Sequence, residues 1–196
     1  MQCDVAVIGA GVFGAWTAYQ LRLAGASVLL LDAYGPGNSR ASSGGETRIM
    51  RLGYGPDEVY SRSAQRSMVL WRQLFEKTGN NLFRKTGLLW LARERDVYCE
   101  ATLTTLQRIG ANYERLDREE LARRFPQLAF GPIAWGILEP DSGALLARRA
   151  VQAVAAQVDY IEAAIASPKT QGGKVNSIQT TGGKEIVAQQ FVFACG

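Results

Sequence analysis

Hydrophobic and polar positions change period several times along the chain, and each change marks an element. Residues 3–8, "CDVAVI", form a short apolar run rich in Val and Ile, as expected of a buried strand. A glycine-rich turn follows, and a helical stretch then reaches about Ala24. Gly25 stands where a helix closes on a left-handed residue, and "SVLLLD" reads as a second buried strand finishing on Asp32. Residues 33–56 break the pattern. They hold six glycines and two prolines without sustained periodicity, which predicts a long loop that touches a ligand. Apolar residues then return at Tyr60, Ala64, Met68, Trp71 and Phe75, a helical stripe closing at Gly79.

Further along, "FRKTGLLWLA" predicts a strand and residues 94–109 a helix. Asp117 and Glu120 form a capping box before Pro126 stops the segment. "AWGILEPDSG" predicts a strand and turn, and a helix is expected from about Ala144 with the stripe Leu146, Ala150, Val154 and Val158. A strand near "YIEAAIA" and a hairpin turning at Gly182 and Gly183 lead to "QQFVFACG". That closing run is expected to be the next buried parallel strand after Asp32, which makes the sheet discontinuous in sequence. The fold class is therefore α/β.

The turn after the first strand places Gly9, Gly11 and Gly14 in the order GxGxxG. In such a strand–turn–helix unit the first glycine makes the tight turn, the second admits a pyrophosphate to the backbone, and the third lets helix and strand pack closely. Asp32, at the end of the second strand, is placed to accept hydrogen bonds from a ribose. The missing second crossover after Asp32 argues against a nicotinamide-binding half and leaves the identity of the dinucleotide open.

Composition narrows the classes. The 196 residues, 47% hydrophobic and 20% charged, can bury one good core with room for a small second lobe. The net charge of +4 is spread among acids without interleaved aromatics, so no nucleic-acid surface is expected. Apolar runs fall far below the roughly 20 residues that cross a bilayer, so no membrane span is expected. The N-terminus shows no basic start or cleavage site, and the expected location is cytoplasmic. Cys3, Cys99 and Cys195 are too dispersed for a local metal cluster and read as core thiols; no metal is expected. With no histidine, any chemistry must proceed without imidazole.

The glycine fingerprint ending in "LLLD", the "SS" with a following "TRIMR", "KTGLLWLA", "EPDSGALL" and the closing "VFACG" together resemble the FAD-dependent amine oxidoreductases of the D-amino-acid and glycine oxidase family. Within it the chain looks most like the N-terminal half of monomeric sarcosine oxidase and N-methyltryptophan oxidase. The resemblance implies a Rossmann-like FAD-binding domain over residues 1–80 and 144–196, and part of a substrate-binding α+β lobe inserted at 81–143. It also implies that Gly9, Gly11 and Gly14 hold the FAD pyrophosphate and Asp32 the ribose. Ser42 and Ser43 would lie beside the flavin, Ile165 near the adenine, and Gly196 within the cofactor site. Arg48 would sit against the isoalloxazine ring and Arg51 would bind an amino-acid carboxylate, so both are catalytic candidates.

By this resemblance the activity would be oxidation of the C–N bond of an amino acid or N-methyl amino acid, with oxygen reduced to hydrogen peroxide. A dehydrogenase using another acceptor, or a non-catalytic dinucleotide-binding module, are the alternatives. Relatives near sarcosine oxidase often carry a histidine before the glycine preceding "TR", where this chain has Gly44 and Gly45. The family also continues beyond the position of Gly196, so the chain reads as truncated, with self-association expected from uncovered edges.

Overall fold

The computed structural model describes all residues, 1–196. In chain order the elements are β1 (Gln2–Ile8), α1 (Val12–Leu23), β2 (Val28–Asp32), β3 (Arg48–Met50), α2 (Glu58–Thr78), β4 (Phe83–Arg84), β5 (Leu88–Ala92), α3 (Val97–Arg108) and β6 (Glu114–Asp117). There follow α4 (Arg118–Arg124), β7 (Trp135–Glu139), β8 (Gly143–Leu145), α5 (Ala147–Ala155), β9 (Asp159–Glu162), β10 (Ile165–Gln171), β11 (Lys174–Thr180) and β12 (Glu185–Phe193). None of the helices is long and apolar enough to cross a membrane. Contacts divide the chain into two compact units, Met1–Arg48 with Leu146–Gly196, and Ile49–Leu145.

The first unit is built on a six-stranded sheet in the order β10-β11-β12-β1-β2-β9. Strands β12, β1, β2 and β9 run parallel, and β10, β11 and β12 form an antiparallel meander. The apolar runs of β1 and β2 are buried on both faces, as central parallel strands must be: Val7, Leu30 and Leu31 have no exposed surface. Ala6, Ile8, Leu29 and Leu31 share a cluster with Ile178 and Ile186, and each fully buried Leu or Ile here contributes roughly 1.5–3 kcal/mol. Helix α1 packs on β1, β2 and α5. Three of its four buried positions are small, Gly14, Ala15 and Ala18, which permits that close approach, and the fourth is Tyr19.

The second unit holds the sheet β5-β7-β6, all antiparallel, and the short pair β4 with β8. Helix α2 belongs to this unit, not with the nucleotide-binding portion where residues 1–80 were expected. The cause is its apolar face, since Ala64 and Met68 pack against Leu52, Cys99, Leu106 and Ile137. It closes at Gly79, whose φ of 67° is left-handed. The capping box predicted at Asp117 is formed: its carboxylate accepts from the Glu120 N–H at 2.8 Å, and Glu120 accepts from the Asp117 N–H at 3.1 Å. It starts the seven-residue helix α4.

Four expectations differ from the structure. The parallel neighbour of β2 is β9, while the closing strand β12 lies on the far side of β1. β9 has two exposed and two half-buried residues, so it carries no buried apolar run to read. The helix expected from Ala144 begins at Ala147, because residues 143–145 pair with β4 as strand β8. "FRKTGLLWLA" is two strands, broken where Gly87 adopts a φ of 73° and its N–H donates to the Ser142 carbonyl. Cys195 is exposed, unlike buried Cys99.

Candidate functional site

A cleft of about 910 Å³ opens at the carboxyl ends of the parallel strands in the first unit, the place where α/β sheets bind ligands. Gly9, Gly11, Asp32, Ser42, Ser43, Ile165 and Gly196 all line it. Gly14 does not; it is buried beneath Gly9, where an added Cβ would overlap the Gly9 carbonyl. Gly9 turns at a φ of 106° and is itself pressed against the Ala194 backbone. Packing at Gly14, and packing with a left-handed backbone at Gly9, are therefore enough to require these two glycines.

Gly11 is different. It opens helix α1 as an N-cap with no side-chain partner, no acid occupies the first turn, and the space where its Cβ would lie is empty. The backbone N–H groups of that turn form the positive end of the helix dipole, and no side chain occupies the space in front of Gly11. The cradle fits a pyrophosphate.

Asp32 does more than the ribose role foresaw. Its Oδ2 accepts from the Ala10 N–H at 2.7 Å, and its Oδ1 accepts from the Tyr34 N–H at 2.8 Å and from Asn38 Nδ2 at 3.2 Å. A carboxylate has about four acceptor positions, so one remains for a ligand hydroxyl. Behind it, the Tyr160 phenol is pushed up to about 12, first by burial and then by the charges of Glu162 and Asp32. Arg40, on the cleft wall, stacks its guanidinium 4.0 Å from the Tyr34 ring and brings a positive charge to the site.

The glycine-rich loop is held by a residue the sequence left unremarked. Arg148 of α5 donates from Nε at 2.8 Å and Nη2 at 2.6 Å to the Gly44 carbonyl. Its ion pair with Glu46, at 3.4 Å between half- and fully exposed groups, adds little by comparison. Gly44 is buried against Asn38 and Ser39, so a side chain at this position has no room in this loop. Arg48 folds back on the same loop, donating to the Thr47 carbonyl at 2.7 Å and to the Ser42 carbonyl. Its guanidinium occupies the space of a Gly45 side chain.

Arg51 lies in the second unit, and its setting is aromatic. The guanidinium stands 5.0 Å from the Tyr54 ring and 4.7 Å from the Trp90 ring, and no acidic side chain pairs with it. Two ring faces thus hold its plane while the N–H fork is left for an external anion. Beneath it, Glu139 is 1% exposed and accepts four hydrogen bonds, from Leu52 N–H, Gly53 N–H, Trp90 Nε1 and Ser142 Oγ. Sequence reasoning passed over Glu139, although a lone acid inside the apolar run "WGILEP" is the signal of a buried, fully bonded charge.

Comparisons with known proteins agree with this geometry. The FAD dependent oxidoreductase family matches residues 4–196. The chain is similar to peroxisomal sarcosine oxidase of Mus musculus, 36% identical over 151 residues, covering 77% of this chain and 38% of that protein. It is also similar to N-methyl-L-tryptophan oxidase of Yersinia pestis, 32% identical over 152 residues, covering 78% of this chain and 41% of that one. Among solved structures it resembles a point mutant of NikD, an unusual amino acid oxidase essential for nikkomycin biosynthesis, with a TM-score of 0.81 and 26% identity, over 100% of this chain and 51% of the other. The chain thus spans about two fifths of the length of the curated relatives it matches. A parallel sheet with an open glycine turn, an acid ending the second strand, and a family match across nearly every residue together make this chain a member of the FAD-dependent oxidoreductases.

Proposed function

We propose that the chain supplies the cofactor cleft and the carboxylate anchor for oxidation of the C–N bond of an amino acid or N-methyl amino acid. The observation that carries the substrate class is Arg51, fixed between Tyr54 and Trp90 with no acid partner. A planar, permanently charged fork without a partner suits a carboxylate bound by two parallel hydrogen bonds. In this reading Gly11 and the first turn of α1 hold the pyrophosphate of FAD, Asp32 accepts a ribose hydroxyl, and Ser42, Ser43, Ile165 and Gly196 complete the walls. Gly9 and Gly14 shape the turn that makes this cradle. Arg48 acts on the flavin end as a positive charge.

When bound, FAD supplies a hydride acceptor for the C–H bond beside the amine nitrogen. The residues of this chain orient the substrate by its carboxylate and balance charge. Loss of that hydride and of a proton from nitrogen would convert the amine to an imine, which water would hydrolyse, and the two electrons and two protons would pass to oxygen as hydrogen peroxide. Similarity to sarcosine and N-methyl-L-tryptophan oxidases supports a secondary amine as substrate.

Two titrations test this. FAD binding, followed by flavin fluorescence, should be saturable, and NAD should not compete; binding of NAD in preference to FAD would defeat the cofactor reading. N-methylglycine should then bind the FAD-loaded chain, and Arg51→Lys should weaken it about tenfold, roughly 1.4 kcal/mol, while FAD affinity holds. Loss of N-methylglycine binding in Arg48→Lys but not in Arg51→Lys would reverse the two assignments.

A further inference from the structure

We propose that Glu139 is a positioning residue for Arg51, a buried carboxylate that fixes both the backbone leaving Arg51 and the ring on which its guanidinium rests. The inference deepens the carboxylate-anchor reading of Arg51 and rests on it. Oε2 accepts from Leu52 N–H at 2.7 Å and Ser142 Oγ at 2.6 Å, while Oε1 accepts from Trp90 Nε1 at 2.7 Å and Gly53 N–H at 3.1 Å. All of its acceptor positions are occupied. One side chain therefore ties the two residues that follow Arg51 to the indole 4.7 Å from the Arg51 guanidinium.

The surroundings leave this arrangement no slack. A Cβ on Gly53 would come 2.7 Å from Thr102 Cγ2, 2.9 Å from Glu139 Oε1 and 3.0 Å from Trp90 Cζ2, so the chain is closed against the carboxylate. Two residues on, Thr105 Oγ1 donates to the Gly55 carbonyl at 2.7 Å and Thr102 Oγ1 accepts from the Gly55 N–H at 3.1 Å. Side chains from β7 and α3 thus hold residues 52–55 at both ends. The freedom left to Arg51 is mainly its own side chain, and stacking removes much of that. A fork aimed in advance loses less entropy on binding a carboxylate.

Glutamine cannot replace this group. Its single oxygen can serve one pair of donors, and its NH₂ then faces the other pair, a backbone N–H included. The test is NMR on the isotope-labelled chain, wild type and Glu139→Gln, reading Arg51 Nε–H exchange and relaxation and the Trp90 indole N–H, with N-methylglycine titrated into both. Expected are a displaced indole signal, Arg51 Nε–H exchange faster by about tenfold or more, and N-methylglycine binding weaker by a similar factor. A folded Glu139→Gln chain with unchanged Arg51 exchange and relaxation would overturn the proposal. If that variant fails to fold, Trp90→Phe decides, since it keeps a ring face and removes one donor: a mobile Arg51 supports positioning, and an unaltered one rejects it. If wild type takes up no N-methylglycine while Glu139→Gln still frees Arg51, the anchor reading fails and the positioning stands. If Arg51→Lys weakens binding and Glu139→Gln does not, the anchor stands and the positioning falls.

Discussion

Replacing Asp32 with alanine tests the cleft where its geometry is most explicit. The carboxylate accepts from the Ala10 N–H at 2.7 Å, the Tyr34 N–H at 2.8 Å and Asn38 Nδ2 at 3.2 Å. Hydrogen bonds to a charged group contribute about 1.5–3 kcal/mol each, so the three would sum to roughly 4.5–9 kcal/mol. The sum overstates the loss, because Asp32 is only half-buried and water can satisfy the freed donors. A loss of about 2–3 kcal/mol is expected for the chain without cofactor, lowering its melting temperature by roughly 4–12 °C. FAD binding should suffer separately. If the remaining acceptor position receives a ribose hydroxyl, a further 1.5–3 kcal/mol, roughly, disappears on binding.

The two effects are resolved by melting the chain with and without saturating FAD and by titrating FAD directly. Asn38→Ala is the control, since among the bonds to Asp32 it removes only the longest, together with the Asn38 side chain's own bonds to the Gly35 carbonyl and the Arg40 N–H, and leaves the ligand-facing position of Asp32 intact. It should lower stability as well, but weaken FAD far less than Asp32→Ala does. Unchanged melting of Asp32→Ala would show that the three bonds carry no weight. Unchanged FAD affinity, with the expected loss of stability, would reduce Asp32 to a purely structural residue.

Three other outcomes are expected. Gly14→Ala should cost at least about 2 kcal/mol in denaturant melts, because its Cβ overlaps the Gly9 carbonyl, whereas Gly11→Ala should cost less than about 1 kcal/mol yet block FAD; normal FAD binding by the latter would exclude the helix N-terminus from the site. The Cys99 thiol is pushed up from its ordinary 9.0 to about 11, by burial first and then by Asp96. Because its folded value is raised, its ionisation favours the unfolded chain, so this contribution is intact below pH 9.0 and is lost as pH rises towards 11. Cys99→Ala should flatten that alkaline slope, and an identical slope in the variant would remove Cys99 as its cause. Finally, exposed Phe13, Ile49, Val59, Val97 and Phe193 predict concentration-dependent association by sedimentation; a single monomeric species at every concentration would refute it.

What was legible in the sequence was local. The unit β1, α1 and β2 follows from an apolar run, three spaced glycines and a second apolar run, all within one stretch of chain. The closing strand was legible for the same reason. Strand β9 was legible as a strand near "YIEAAIA", but its place was not: with two exposed and two half-buried residues, it owes its position to pairing with β2, a partner distant in sequence. β8 is a strand because β4 lies beside it, and no residue among Gly143, Ala144 and Leu145 prefers a strand strongly enough to announce it. The turn at Gly172 and Gly173, both with positive φ, was legible in principle as a glycine pair between two strands.

The candidate site divides along the same line. Gly9, Gly11 and Asp32 were singled out from the glycine motif, and Ser42, Ser43, Ile165 and Gly196 from the family resemblance; all line one cleft, because the turns that carry them follow adjacent strands of a single sheet. What holds those groups in place was hidden. Arg148 reaches Gly44 from across 104 positions, and Glu139 reaches Leu52 across 87. Charge and shape at a binding group can be written into a short motif, but its rigidity must come from elsewhere, since a glycine-rich segment cannot supply it. Arg51 shows why. A free guanidinium on a loop would spend much of its binding energy on its own ordering. Here the ordering is done beforehand by two rings and one buried carboxylate, and the latter is tolerated in the core only because four donors converge on it. The same convergence makes Glu139 costly to change: losing it strands two backbone N–H groups, an indole and a hydroxyl in a space closed to water. Precision at Arg51 and stability of the second unit therefore draw on the same four hydrogen bonds, and only measurements on Arg51 itself can separate them.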